Sequence, residues 1–187
     1  MRRRIRLREF MAWLIVGMPA IAAGANSPDP KSAAVLDFEL INEIRDYETE
    51  ASQAAQQRRL ILISDTLRSE LAQRGLYRTV DNNIAANLIA EQKSLQDLRS
   101  CNGCELDIGR ALGAEVVVSW VQKVSNLILN INIEVKDVAS GTTLYTKSVD
   151  LRGNTDKSWL RGINYMVDSI EEKEQHLRCV LRNTEKH

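Results

Sequence analysis

The chain has 187 residues, of which 44% are apolar and 27% are charged. This composition supports one hydrophobic core and excludes a chain that is disordered throughout. Twenty-five lysines and arginines balance 25 aspartates and glutamates, so a strongly basic nucleic-acid binder is excluded. Aromatic residues make up only 5% of the chain, with no basic patch between them, which also argues against nucleic acid as a partner.

Residues 1–25 are predicted to be a secretory signal peptide. They carry five arginines and one glutamate, a balance of +4, so residues 26–187 carry −4. An apolar run at 10–23 follows the arginines and is shorter than the ~20 residues that span a bilayer. Small residues predict cleavage after Ala25, with Ala22 as second choice. We expect export to the periplasm and no stable membrane span after cleavage; an uncleaved anchor is the alternative.

The first half of the mature chain predicts a strand and a long helix. Residues 26–33 form a polar linker rich in proline and serine. A strand is predicted at 34–40 and a polar loop at 41–53. A helix is predicted from about 54 to 74, where Gly75 ends it. Its apolar face has helical spacing and comprises Leu60, Ile63, Leu67 and Leu71.

Shorter elements come next. The sequence predicts a short strand at 77–80, a second helix at about 84–98 and a third helix that ends at Gly113. A Cys-Asn-Gly-Cys turn at 101–104 separates the two helices. None of these segments is long enough to form a domain of its own.

Three consecutive strands and a final helix complete the predicted fold. The strands are expected at 115–124, 127–135 and 142–151, and the second alternates apolar residues with Asn130, Asn132 and Glu134, so one of its faces is solvated. The final helix has its apolar face at Trp159, Ile163, Met166 and Ile170. We predict an α/β (α+β) fold: a single mixed sheet of about five strands in the order β-α-β-α-α-β-β-β-α, with helices packed mainly on one face. One domain covers 34–173, and 174–187 form a polar tail.

Cys101 and Cys104 are the most specific local signal. In an exported protein such a pair is usually oxidised, and the Asn-Gly turn lets the small ring close, so we predict a structural disulfide. A catalytic thiol–disulfide pair is one alternative. Another is a Cys₃His zinc site completed by His176 and Cys179, although those residues lie in the polar tail. No metal or cofactor is expected.

The densest polar cluster lies between the last strand and the last helix. Its candidate binding residues are Arg152, Asn154, Asp156, Trp159 and Arg161. The arginines and the helix-start amides would suit an anionic group. In the structural interpretation, which we favour, Thr155 or Asp156 caps the helix and Trp159 anchors it in the core.

Four segments carry a resemblance to known proteins. AVLDFEL at 34–40 and IGRALGAEVVV at 108–118 resemble an envelope α/β domain. That domain is shared by the N-terminal domain of the Tol–Pal translocation protein, the lipoprotein activators of penicillin-binding proteins and the curli-secretion lipoprotein. More narrowly, KVSNLIL at 123–129 and RGNTDKSW at 152–159 are similar to an uncharacterised family of predicted secreted bacterial proteins, a domain of unknown function. This similarity covers roughly residues 33–170.

The resemblance implies a periplasmic accessory and supplies no catalytic residues. Both histidines fall in the last twelve residues, so no nucleophile–histidine–carboxylate set is predicted. Unlike the lipoproteins, this chain has no cysteine for acylation after its apolar run. We expect a non-enzymatic domain that binds another envelope protein. The alternatives are a thiol–disulfide or metal-handling protein using Cys101 and Cys104, and a small-anion binder at the Arg152–Arg161 turn. The oligomeric state stays open.

Overall fold

The structure is a computed structural model that describes residues 29–125 and 128–184. The predicted signal peptide, its cleavage site and the first three residues of the predicted linker lie outside these residues. The last two residues of that linker, Ser32 and Ala33, belong to the first strand instead. The strands are β1 (Ser32–Val35), β2 (Glu39–Asn42), β3 (Arg78–Thr79), β4 (Glu115–Lys123), β5 (Ile128–Lys136) and β6 (Thr143–Arg152). The helices are α1 (Glu50–Gln73), α2 (Ala86–Leu95), α3 (Cys104–Leu112) and α4 (Asp156–Thr184).

All six strands belong to one mixed sheet, which confirms the predicted fold class. The strand order is β3-β1-β4-β5-β6, and β2 pairs with β4 beyond the end of β1. β1 and β2 run parallel to β4, whereas β5 and β6 continue the sheet antiparallel. The central place of β4 agrees with the apolar segment predicted there.

The strand predicted at 34–40 is two strands, β1 and β2. Between them the chain bends, and side chains take the place of the hydrogen bonds between neighbouring strands. The Val35 carbonyl accepts hydrogen bonds from Arg68 Nη2 at 2.9 Å and Asn82 Nδ2 at 2.8 Å. Phe38 N donates to Ser64 Oγ at 3.0 Å. These contacts satisfy backbone groups between β1 and β2 that the sheet does not pair.

The two long helices cover one face of the sheet. The face-forming residues predicted for α1 and α4 are all buried there, and they pack against alternate residues of β5, which are Leu129, Ile131, Ile133 and Val135. The short helix α3 lies on the opposite face, at one end of the sheet. It contributes Ile108 to a second cluster that also contains Leu36 and Leu98. The helices therefore lie mainly, though not wholly, on one face.

Two of the predicted segments are wrong in extent. The loop predicted at 41–53 contains part of β2, a 3₁₀ turn at Arg45–Tyr47 and the start of α1. α1 begins early because Thr49 Oγ1 caps it by accepting from Ser52 N at 3.2 Å. The helix predicted at 84–98 is a 3₁₀ turn followed by the shorter α2.

The polar segment after residue 174 is also helical. α4 continues without a break to Thr184, past the last buried apolar residue, Ile170. The segment has no glycine or proline to end the helix, and its residues are mostly good helix formers. Helix propensity, and not burial, therefore determines this extension.

Candidate functional site

The turn between β6 and α4 is organised around Trp159. Its indole is fully buried, and Nε1 donates to Asn154 Oδ1 at 3.0 Å. Gly153 takes a φ of +91°, which a side chain would disfavour, and this lets the chain reverse. Thr155 Oγ1 accepts from Ser158 N at 3.2 Å and so caps the helix. The turn is thus built to start α4.

Asn154 and Asp156 are both held by α1. Arg59 Nε lies 2.6 Å from Asp156 Oδ1, and Arg59 Nη1 donates to Asn154 Oδ1 at 3.1 Å. One arginine therefore ties the start of α4 to α1. Asn154, Asp156 and the buried Trp159 therefore each have a partner within the protein.

Arg152 and Arg161 are arranged differently. Both are exposed, and neither side chain has a hydrogen-bond or ion-pair partner among the described residues. They flank a groove of about 480 Å³ between the second half of β6 and the first turns of α4. Tyr165 lines the same groove and is 56% exposed. The predicted cluster therefore has two parts. Asn154, Asp156 and Trp159 are bonded within the protein, whereas Arg152 and Arg161 are exposed at the groove.

The groove runs along the edge of the sheet. Within the part of the chain that the structure describes, β6 is the last strand of the sheet and pairs on one side only, with β5. Gly162 lets α4 pass close to this edge, because a Cβ there would lie 2.4 Å from Leu151 Cδ2. Lys147 Nζ, on the α4 side of β6, lies 5.2 Å from the centre of the Tyr165 ring. An aromatic ring, three cations and an unpaired strand edge thus meet in one place.

Cys101 and Cys104 form the predicted disulfide. Their Cα atoms are 5.5 Å apart, and Cys104 is the first residue of α3. The exposed fractions of the two residues are only 8% and 9%, because they pack in the cluster around Leu98 and Ile108. A thiol–disulfide exchange partner needs access to a sulfur atom, so this burial favours the structural role.

The four residues of the alternative zinc site are not brought together. Cys101 and Cys104 are bonded to each other, whereas His176 and Cys179 are exposed on the last turns of α4. No group of three or more histidine, cysteine or acidic side chains placed to hold a metal occurs within residues 29–125 and 128–184.

The structure reveals a buried polar cluster that the sequence analysis missed. Lys123 is fully buried and forms an ion pair with Glu48. Glu48 also accepts from Gln56 Nε2 at 2.8 Å, Asn42 Nδ2 at 2.6 Å and Ser52 Oγ at 3.1 Å. Burial by itself would raise the pKa of Glu48, but the contact with Lys123, followed by these hydrogen bonds, outweighs it and holds the pKa at about 2.

This cluster is a structural clamp. Each buried side-chain nitrogen and oxygen atom of the cluster has a hydrogen-bond partner, and the cluster ties the 3₁₀ turn and the start of α1 to the end of β4. One sequence signal was available: Lys123 is two residues from Val121, so the two share a face in β4, and that face is buried. A lysine on the inward face of a strand requires a buried partner.

The solvated face of β5 agrees with its structural interpretation. Ser148 Oγ donates to Asn130 Oδ1 at 3.0 Å and to Asn132 Oδ1 at 2.9 Å, while Asn130 Nδ2 donates to Asp150 Oδ1 at 2.7 Å. At the end of the strand, Lys136 Nζ lies 2.7 Å from Glu105 Oε1 of α3. These side chains bond mainly to one another across neighbouring strands.

The fold defines a class: α/β domains with one mixed sheet and two long helices packed on one face. Within that class, the chain belongs to the family described as "Protein of unknown function (DUF2380)", whose model matches residues 31–170. No curated protein matches its sequence. Among the described residues, no helix has the length and hydrophobicity needed to cross a membrane.

Three solved structures illustrate the likeness. The C-terminal domain of LpoB from Salmonella enterica is 17% identical, with 68% of this chain and 87% of that chain covered and a TM-score of 0.46. A lipoprotein from Neisseria meningitidis is 12% identical, with 79% and 99% covered and a TM-score of 0.49. The PelC dodecamer from Paraburkholderia phytofirmans is 12% identical, with 76% of this chain and 88% of that chain covered and a TM-score of 0.46. These likenesses concern the fold alone, whereas the predicted similarity to an uncharacterised family is confirmed by the family model over residues 31–170.

Proposed function

We propose that this protein is an exported, periplasmic, non-catalytic domain that binds another protein of the cell envelope. The observation that carries the proposal is the groove between β6 and α4. There Arg152 and Arg161, whose side chains have no partner among the described residues, lie beside the exposed ring of Tyr165. The signal-peptide pattern of residues 1–25 supports export.

The side chains at the groove are of the types that dominate protein–protein contacts. Arginine and tyrosine are enriched among the residues that contribute most to binding energy, because each combines a large apolar area with hydrogen-bonding groups. Free arginines gain ion-pair partners on binding without breaking existing ones. By contrast, Asp156 and Asn154, only one turn away, are already bonded to Arg59.

Site-specific photo-crosslinking tests this proposal in intact cells. The full chain would carry a photo-reactive phenylalanine analogue at Tyr165 or, as a control, at Ile61. Both positions are 56% exposed, but Ile61 lies on α1, away from the groove. We expect one envelope protein to be crosslinked at position 165 and to be identified by mass spectrometry. The same protein should not be crosslinked at position 61.

Two results would contradict the proposal. The first is the same set of products from both positions, which would show that the groove has no particular partner. The second is recovery of the full chain in the cytoplasmic fraction with residues 1–25 still attached. Detection of processed protein in the periplasm, with its mass corresponding to cleavage after Ala25, supports export and settles the cleavage site.

A further inference from the structure

We infer that β6 is a strand-addition site for an extended, acidic segment of a partner protein. The segment would lie in the groove between β6 and α4 and extend the sheet by one strand. This inference rests on the proposed protein-binding function and specifies its site and the chemistry of the partner. Strand addition uses main-chain hydrogen bonds for affinity and side-chain pockets for specificity.

The first argument concerns the direction of the backbone groups in β6. The Ile128 carbonyl accepts from Val124 N at 3.1 Å, so the backbone of Ile128 faces β4. Backbone groups alternate in direction along a strand, and Ile128 is paired with Arg152. Arg152 and every second residue before it therefore direct N–H and C=O away from β5. These are Asp150, Ser148 and Thr146.

The start of β6 shows the same alternation of backbone direction. This part of the strand edge is also protected against pairing with another strand. Lys173 Nζ donates to the Leu144 carbonyl at 2.7 Å, which shows that this carbonyl also faces outward. The register shifts between Val135 and Lys136 at the same end of the strand. A lysine and an irregularity of this kind are common ways to protect a sheet edge. No comparable device covers residues 146–152 among the described contacts, so the open part of the edge coincides with the groove.

The charges around the groove indicate an acidic partner segment. Lys147 and Arg161 lie on the α4 side, and Arg152 lies at the end of β6. The one acidic residue in this part of β6, Asp150, accepts from Asn130 Nδ2 on the opposite face of the sheet. An added strand with glutamates or aspartates on its α4 side would pair with Lys147 and Arg161, neither of which has an ion-pair partner among the described residues.

A second copy of this chain fits the edge less well. Pairing of two β6 strands about a two-fold axis would bring the Lys147 and Arg161 side chains of both copies to the same seam. Like charges brought close together at an interface disfavour association. The acidic segment of another protein is therefore the occupant that the charges favour.

Peptide binding to the mature protein tests the inference. The probe is a fluorescent ten-residue peptide of alternating glutamate and valine, measured by fluorescence anisotropy. Two control peptides replace glutamate by lysine or carry N-methyl groups on alternate residues, which removes one edge of main-chain donors. We expect the acidic peptide to bind and both control peptides to bind at least roughly tenfold more weakly, the ratio that corresponds to ~1.4 kcal/mol.

Two pairs of variants locate the site. Ser148→Pro removes an outward N–H, whereas Ser148→Ala removes only the hydroxyl contacts with Asn130 and Asn132. We expect Ser148→Pro to weaken binding roughly tenfold or more and Ser148→Ala to have little effect. Arg161→Glu should weaken binding to a similar extent, while Lys157→Glu, an exposed cation of α4 that does not line the groove, should not.

The inference is overturned if the acidic peptide does not bind, if the N-methylated peptide binds equally well, or if Arg161→Glu and Lys157→Glu behave alike. The peptide and arginine tests decide the matter even if circular dichroism shows that Ser148→Pro does not fold. A concentration-dependent dimer that Arg161→Glu disrupts, without peptide binding, would assign the edge to a second copy. If folded Ser148→Pro still crosslinks the partner from position 165, protein binding stands and strand addition fails.

Discussion

Two polar clusters, one at the end of β4 and the other at the end of β6, contain similar groups and serve different purposes. Around Glu48 and Lys123 the charges are buried and every group has a partner. Around Arg152 and Arg161 the charges are exposed and no described residue pairs with them. The difference shows that charge alone does not identify a binding site. What distinguishes the two is whether the chain itself satisfies its polar groups.

The largest expected effect comes from breaking the buried pair. Lys123→Met leaves the Glu48 carboxylate buried without its cation, and we expect a loss of about 3–5 kcal/mol in the free energy of unfolding. Urea denaturation measures this loss. The double variant Lys123→Met/Glu48→Gln should recover part of it, because no charge is then left without a partner. A loss below about 1 kcal/mol for the single variant would mean that water reaches this cluster.

The same pair predicts a pH dependence. Since the pKa of Glu48 is lowered from its ordinary value of 4.5 to about 2, the folded state binds this proton less readily than the unfolded state. The contribution of Glu48 is fully present above pH 4.5 and is lost as the pH falls toward 2, with a size of about 3 kcal/mol. Urea denaturation at several pH values, for the wild type and for Glu48→Gln, isolates this contribution. Parallel curves for the two proteins would rule it out.

The disulfide is expected to have a smaller effect. The loop between Cys101 and Cys104 is very short, so its closure restricts the unfolded chain only slightly. We expect Cys101→Ser/Cys104→Ser to lose less than the roughly 3 kcal/mol of a 15-residue loop and to remain folded. Mass spectrometry of unreduced, alkylated protein tests the bond directly. Alkylation of both cysteines in that peptide would refute it.

The smallest expected effect is at the open cluster. Arg161→Met removes an exposed charge that has no partner among the described residues, so we expect a change within about 0.5 kcal/mol. Thermal unfolding of this variant beside Lys123→Met sharpens the comparison between the two clusters. A loss of more than about 1 kcal/mol would show that Arg161 stabilises the fold, and its assignment to a binding surface would then be wrong.

Periodicity alone determined most of the fold. The spacing of Leu60, Ile63 and Leu67 identified the buried face of α1, and the alternation in β5 identified its buried and solvated faces. Such patterns are visible in sequence because one face of each element meets the core and the other meets water. Cys101 and Cys104 were likewise predictable as a pair, since they are close in the sequence.

Tertiary structure decided which polar residues are structural and which are open. Nothing local in the sequence indicates that Arg59 holds Asp156, or that Glu48 lies beneath β4 against Lys123, because these partners are about 75 to 97 residues apart. The groove also depends on long-range packing, since it exists only where α4 returns along the unpaired edge of β6. A residue's partners, and hence its freedom to bind another molecule, are fixed only when distant segments meet.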